Sequence, residues 1–426
     1  AWSPRPGRPP VAVTSLPSVT ELGHAHAGAE DGAAPVEPYC LLPSAVLTAG
    51  LRAAAREHPL VDLREGWTLA GLWPEREAAT AVLHEGRTGR RHAMSAAYVA
   101  GCDGAQSTVR RCLGIGVDRP APPAPHWTVS FRCASLGPAA PHPRTVIAPG
   151  ITLTWRPDAA LWIADLVISH DDDVADPAAL LAGRLGLDVD EVTAVAQAQE
   201  SPQVATVYRR DTVFLAGEAA HRFPAATGGL DTCVGDATGL GWRLAAAVQG
   251  WGGPALLAGY GEERRRQALV DHELAARSGE SRNRFTRLTA AGASREMLAE
   301  TIAAEAPQVD LAGTGPACAG GAPQPGTRLP AVRTADGGHL HDRLGTGFTL
   351  VDLTPGRPGE RLAAAACIRG IPVTHLPVAD PELRKRWPHP LVLVRPDRQV
   401  AWCGDGPPDG WSRILDAATG RSRRTT

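Results

Sequence analysis

Val213-Phe-Leu-Ala-Gly-Glu-Ala-Ala-His221, continued by Phe223-Pro-Ala-Ala-Thr-Gly-Gly-Leu-Asp231, decides how the chain is read. An apolar run of strand character enters Gly217 and an acidic residue, small residues follow, and a Gly-Gly pair comes shortly before a helix. That helix is expected over Asp236 to Gln249, where Leu240, Leu244, Ala247 and Val248 share one face. Bare backbone at Gly228 and Gly229 can approach a flat or anionic ligand, and a helix N-terminus adds a favourable dipole. A carboxylate at Glu218 can accept hydrogen bonds from sugar-like hydroxyls. On composition alone this is an ordinary strand–turn–helix connection; the order of its residues is what changes the reading.

Outward from that stretch, the 426 residues are enough for two to three domains. The 43 basic and 45 acidic residues nearly cancel, so the clustered positive charge that nucleic acid requires is missing. No run of about 18 apolar residues is present, which argues against a membrane span. Ala1 to Pro10 carry no apolar stretch of the kind a signal peptide needs. The eight cysteines form no C-x-x-C and no zinc spacing, and read as reduced thiols of a cytoplasmic protein without a metal site.

Residues 1–37, rich in Pro, Gly, Ala and Ser, are expected to be an irregular lead-in. Helical spacing of Leu42, Val46, Leu47 and Leu51 follows, then short strands at Trp67 to Leu72, Ala79 to Leu83 and Ala96 to Ala100. Dense β-like runs between residues 121 and 203 predict an antiparallel sheet carrying Trp155 and Trp162. His170-Asp-Asp-Asp173 reads as a solvated acidic loop that caps a helix over Pro177 to Arg184, and Arg209-Arg210 and Arg264-Arg-Arg266 read as exposed faces. A Gly/Pro-dense linker at 313–330 leads to a β-α-β-β pattern closed by a helix, a small α/β domain over 331–426.

Ala216-Gly-Glu-Ala-Ala-His221, with its Pro and Gly-Gly, resembles the second flavin signature of the para-hydroxybenzoate-hydroxylase type of FAD-dependent monooxygenase. Tyr98-Val-Ala-Gly-Cys-Asp-Gly-Ala-Gln-Ser-Thr-Val-Arg110 resembles the Asp-Gly signature of the same family, and Leu391-Val-Leu-Val-Arg-Pro-Asp397 the thioredoxin-like appendage of its aromatic polyketide hydroxylase branch. The resemblance runs from about residue 36 to residue 420. It implies an α/β (α+β) fold: a flavin-hydroxylase-like core over 38–120 and 204–312, a substrate-domain sheet over 121–203 and a thioredoxin-like domain over 331–426. It also implies FAD contacts at Asp103, Gly104, Gly217, Glu218, Pro224, Gly228 and Gly229, an aromatic small-molecule substrate against Trp155 and Trp162, and NAD(P)H as reductant where FAD is bound.

The family opens with a strand and Gly-x-Gly-x-x-Gly, which holds the FAD pyrophosphate at a helix N-terminus. These residues carry no such segment; Gly313-Thr-Gly315 lies in the linker with no strand before it. The ribityl-binding Asp is replaced by Glu218, the usual Arg of the Asp-Gly motif by Gln106, and the glycine-rich turn is short. Those departures predict an incomplete core and a protein that binds FAD weakly and uses the inherited cavity for cyclisation or dehydration, with His221, Arg222 and Asp231 as candidate acid–base residues. Two other readings stay open. One is an FAD- and NAD(P)H-dependent hydroxylase or Baeyer–Villiger monooxygenase whose opening segment is absent from these residues or supplied by another chain; the other is a protein that only binds. A homodimer or a partner chain is left open as well. Without C-x-x-C the C-terminal domain is expected to have no redox role, and its deletion to affect solubility or assembly instead of chemistry.

Overall fold

The computed structural model describes residues 1–13, 18–27, 42, 44–119, 124–137, 145–156, 158–168, 172, 175–200, 202–223, 229–305, 321–356, 358–406 and 410–421. Helices α1 (Val19–Ala27) and α2 (Ser44–Glu57) lead into a meander of β1 (Trp67–Pro74), β2 (Ala79–Glu85) and β3 (Arg91–Ala96). The strand expected over Ala96 to Ala100 resolves into the end of β3 and a separate β4 (Val99–Gly101), because β3 pairs with β2 while β4 pairs with a strand over a hundred residues away. Helix α3 (Thr108–Cys112) and β5 (Val117–Asp118) complete this part.

The predicted antiparallel sheet is present. It consists of β6 (Ala124–Arg132), β7 (Thr145–Ala148), β8 (Ile151–Arg156), β9 (Leu161–Val167) and, after helix α4 (Pro177–Leu185), β10 (Glu191–Glu200), in the order β10-β6-β9-β8-β7. Asp176 caps α4 by accepting from the amides of Ala178 and Ala179, and Pro177 takes the first position, where its missing N–H costs nothing. Of the acidic loop, Asp172 pairs with Arg184; His170, Asp171 and Asp173 lie outside the described residues.

The chain then returns to the core through β11 (Gln203–Ala205), β12 (Arg209–Arg210), β13 (Val213–Leu215) and β14 (His221–Arg222), followed by helices α5 (Leu230–Val248), α6 (Pro254–Ala290) and α7 (Arg295–Glu305). β13 runs parallel to β4, with Leu215 opposite Gly101. Phe214, Leu215, Val109, Leu113, Tyr208 and Tyr260 pack into one core between these strands, α3 and α6.

The C-terminal unit is β15 (Phe348–Asp352), α8 (Gly359–Ile368), β16 (Val373–Pro377), α9 (Pro381–Arg386), β17 (Leu391–Val394), β18 (Val400–Gly404) and α10 (Trp411–Thr419). Its strand order is β16-β15-β17-β18, with one parallel pair and two antiparallel ones. The fold is thus mixed α/β with antiparallel sheets, as the sequence implies.

Two expectations need correction. Part of the lead-in is ordered: residues 19–27 are helical, and Trp2 bridges Ala12 and Ile147 and is buried against Phe285, Leu298 and Ile302. An indole of that size recovers enough apolar burial to hold a Pro-rich segment in place. The expected linker is also shorter than its composition suggests, since Leu329 is fully buried in the C-terminal core and Gly326 donates to Val400; residues 306–320 lie outside the described set.

Candidate functional site

In an open sheet with parallel strands, ligands collect where the chain leaves the carboxyl ends of those strands. β4 and β13 are such a pair, and each runs directly into one of the two motifs: β4 into the Asp103-Gly104 turn and β13 into the Gly217–Ala220 turn. The amide of Ala216 donates to the carbonyl of Gly101 at 3.0 Å, which fixes the two exits side by side. Both glycines have positive φ, +79° at Gly104 and +60° at Gly217, so each turn takes a path that other residues resist.

Asp103 does not point free into this space. Its carboxylate accepts from the Ser107 hydroxyl at 2.5 Å and from the amides of Thr108 and Val109, and so fastens the start of α3. Arg110, one turn on, donates to the carbonyls of Ala105 at 2.8 Å and Ala219 at 2.7 Å and joins the two motifs covalently distant in sequence. Gln203 also donates to Ala105.

The second motif is held from beneath by Asp236. Its side chain is 0 % exposed and accepts from the Gly217 amide at 2.9 Å and from Arg264 Nε at 2.7 Å; His221 Nε2 lies 2.9 Å from the same carboxylate. Tyr260 donates to the Leu215 carbonyl just upstream. His221 is 1 % exposed and turned toward Asp236, and its Nδ1 is buried without a hydrogen-bond partner. The His221 ring is thus enclosed by the fold and directed at Asp236. Arg222 is half-buried on β14 opposite Gln203, and Asp231 is exposed in the first turn of α5.

Helix α5 starts at Leu230, six residues before the expected start at Asp236, which puts Asp231 and Asp236 on one helix. Gly229 has φ +148°, and a methyl group there would lie 2.8 Å from the Phe223 ring. Pro224 and Gly228 lie outside the described residues. Glu218 is exposed in the Gly217–Ala220 turn, and Gly104 has open space where a side chain would stand. An exposed carboxylate beside bare backbone fits a hydroxyl-bearing chain such as the sugar-alcohol part of FAD; no described residue forms a pyrophosphate cradle of the Gly-x-Gly-x-x-Gly type. Burial pushes the neighbouring thiols up, Cys102 with Asp103 behind it and Cys233 to about 11 with Asp236 behind it, so neither is a thiolate nucleophile at neutral pH. No group of three or more His, Cys, Asp or Glu among the described residues could hold a metal, and no described helix is long and apolar enough to cross a membrane.

Trp155 and Trp162 lie on the helix-covered face of the five-stranded sheet. Strand alternation puts them with Leu153, Ala164 and Val129 on the sheet face that α4 covers through Leu181 and Leu185; Trp162 is buried in that core, and half-buried Trp155 packs on it with the rings 5.3 Å apart. The opposite face carries Thr128, Ile163 and Asp165, with Thr128 donating to Asp165 at 2.9 Å and His126 beside it. Helix α6 connects that face with the motif loops, since Arg264 holds Asp236 and Arg282, further along, donates to Thr152 on β8.

The residues missed in sequence are Asp236, Arg110 and Arg264. Arg264-Arg-Arg266 is not one exposed face: Arg264 is buried, and Arg265 donates to the Ala205 carbonyl and pairs with Asp118. Arg209 stacks on Phe214 and Arg210 donates to the Leu113 carbonyl, so that pair is engaged as well. The available signal was periodicity, because Leu257, Tyr260, Arg264, Ala268, His272 and Ala275 recur at helical spacing and all are buried.

Residues 14–147 and 168–271 match the FAD binding domain family, and residues 322–422 match the aromatic-ring hydroxylase C-terminal domain. The chain is 25 % identical to the FAD-dependent monooxygenase opdD of Penicillium oxalicum, over 95 % of this chain and 90 % of that protein. It is 32 % identical to a dialkyldecalin synthase of Streptomyces rugosporus, over 77 % of this chain and 70 % of that one. Among solved structures, the rebeccamycin biosynthetic enzyme RebC with reduced flavin superposes with a TM-score of 0.80 at 25 % identity, covering 99 % of this chain and 85 % of RebC.

Proposed function

The chain belongs to the family of FAD-binding aromatic-ring monooxygenases, and from that premise we propose that it is an FAD- and NAD(P)H-dependent hydroxylase of a polycyclic, polyketide-type intermediate. The observation that carries this reading is the side-by-side exit of the two motif turns at the carboxyl ends of parallel β4 and β13, fastened to one another by Arg110 and from below by Asp236. An arrangement fixed at so many points is suited to a ligand that needs a preformed groove. Glu218 and the Gly104 turn would hold the sugar-alcohol part of FAD, which when bound supplies reduction by NAD(P)H and activation of oxygen. The pyrophosphate half needs further residues, and the outer edge of β4, unpaired among the described residues, offers a place for another parallel strand.

The chain's own part is to orient the substrate and keep water from it. We place the substrate against the α6-facing side of the five-stranded sheet, where Ile163 gives apolar contact and the Asp165 carboxylate, oriented by Thr128, can accept from a phenolic or enolic hydroxyl. A carboxylate in that position favours the proton's departure from the hydroxyl and so enriches the ring for attack on oxygen.

The test is titration of the purified chain with FAD, read by flavin fluorescence, followed by NAD(P)H oxidation with planar polycyclic phenols. Saturable FAD binding weakened by Glu218→Gln, and a product one oxygen atom heavier than the substrate, support the proposal. The similarity to a dialkyldecalin synthase favours a second reading, in which the chain closes rings of its substrate without net redox change. A folded chain that binds no FAD and converts an intermediate to a product of unchanged mass would replace the first reading by the second.

A further inference from the structure

The side chains that hold the motif loop continue, without a break, into the C-terminal domain. Arg395, in the turn between β17 and β18, grips Glu263 of α6 with two hydrogen bonds of 2.8 Å and reaches Asp397 with its remaining N–H groups. Glu263 also accepts from Arg243 of α5 at 2.9 Å, and Asp397 accepts from Trp242 Nε1 at 2.9 Å. Both guanidinium groups lie over the Trp242 ring, at 4.9 and 5.5 Å from its centre. The next residue along α6 is Arg264, which holds Asp236.

Gly239 is where these parts meet. A methyl group on it would lie 3.2 Å from Nη1 of Arg243, 3.6 Å from Cδ of Arg264 and 3.9 Å from Oδ2 of Asp397. Arg243, the stem of Arg264 and the Asp397 carboxylate thus all border the same glycine of α5. Burial raises the Glu263 carboxyl, but the hydrogen bonds and charge of Arg395, with Arg243 and Arg264 behind them, carry it down to about 2, so the cluster stays ionised.

We propose that the Arg395–Asp397 turn of the C-terminal domain is a positioning element for the Gly217–His221 loop, acting through Glu263 and Arg264 on α6. The domain then has a part in the site without contributing a reacting group to it. This holds whichever chemistry the cavity performs, because its object is the loop and not the cofactor.

Amide hydrogen exchange of the full chain tests it, comparing wild type with Arg395→Met, Arg395→Lys and Asp397→Asn. Exchange across residues 216–223 should rise about tenfold in Arg395→Met, the size of an ordinary coupling between sites, and fall back toward wild type in Arg395→Lys. Asp397→Asn keeps an oxygen for Trp242 and removes only the charge, so it carries the test if Arg395→Met fails to fold. Any FAD dissociation constant should rise in parallel. Faster exchange confined to residues 391–404 and the surroundings of Trp242, with 216–223 unchanged in folded variants, would mean a merely structural contact and overturns the proposal.

Discussion

Asp236 neutralises Arg264, accepts the amide of Gly217 and faces His221, all out of reach of water. Removing its carboxylate leaves the buried Arg264 guanidinium without its directly paired anion, a loss of about 3–5 kcal/mol. Asp236→Ala should therefore melt far below wild type, and Asp236→Asn, which keeps an acceptor for Gly217, by less; equal melting of wild type and Asp236→Ala would contradict the clamp. His272 behaves differently. Burial beside Phe223 holds its pKa below the ordinary histidine value, opposed by the carbonyls of Gln203 and Arg222 and by Asp271 and reinforced by His221. With the folded pKa depressed, the unfolded chain binds the extra proton, so stability is full above about pH 6.5 and declines as pH falls below it. His272→Phe should flatten that decline in melts between about pH 7 and 5; an unchanged slope would remove His272 as its source. At this scale the sequence was informative where residue order carried the signal: the turns that hold Asp103-Gly104 and Gly217-Glu218 leave β4 and β13 side by side. It was not informative for Arg264, whose charge argued for the surface while its spacing placed it on the buried side of α6.

An antiparallel strand presents alternate residues to opposite faces, so the sequence of β8 and β9 already separates Trp155 and Trp162 from Thr154 and Ile163. What alternation does not tell is which face a helix will cover. Helix α4 follows β9 and packs through Leu181 and Leu185 on the tryptophan face, which turns Trp162 into core with Trp155 packed on it and leaves Thr128, Ile163 and Asp165 on the other face. Trp162→Ala should accordingly lower stability by about 3–5 kcal/mol, the usual loss for a buried aromatic, while ligand affinity of the folded fraction stays as in wild type. A stable Trp162→Ala variant that had lost ligand would return the indole to the site. The same limit applies to the lead-in: its Pro-rich composition describes its backbone correctly and says nothing of Trp2, whose burial depends on Phe285 nearly three hundred residues away.

The core and the C-terminal domain share one apolar seam. Trp242, Ala246, Trp251 and Leu256 of the first pack with Phe348, Leu350, Leu391 and Trp411 of the second. Two indoles of this kind bury roughly 150–250 Å² each, so their uncovering alone would create a patch near the largest that monomers tolerate. A chain ending at Glu305 should therefore aggregate, in line with the solubility or assembly loss expected from the sequence for removal of the C-terminal domain, but for a reason the sequence does not contain: the lost surface is half of a shared core. It follows that the full chain should unfold as one unit. Leu350→Ala, placed in the C-terminal sheet, should remove about 2–5 kcal/mol and shift the transition seen by tryptophan fluorescence and that seen by far-ultraviolet circular dichroism together. Two separated transitions, with only the later or only the earlier one moved by Leu350→Ala, would mean that the seam does not couple the halves, and a soluble, cooperatively folding 1–305 chain would establish the same point from the other side.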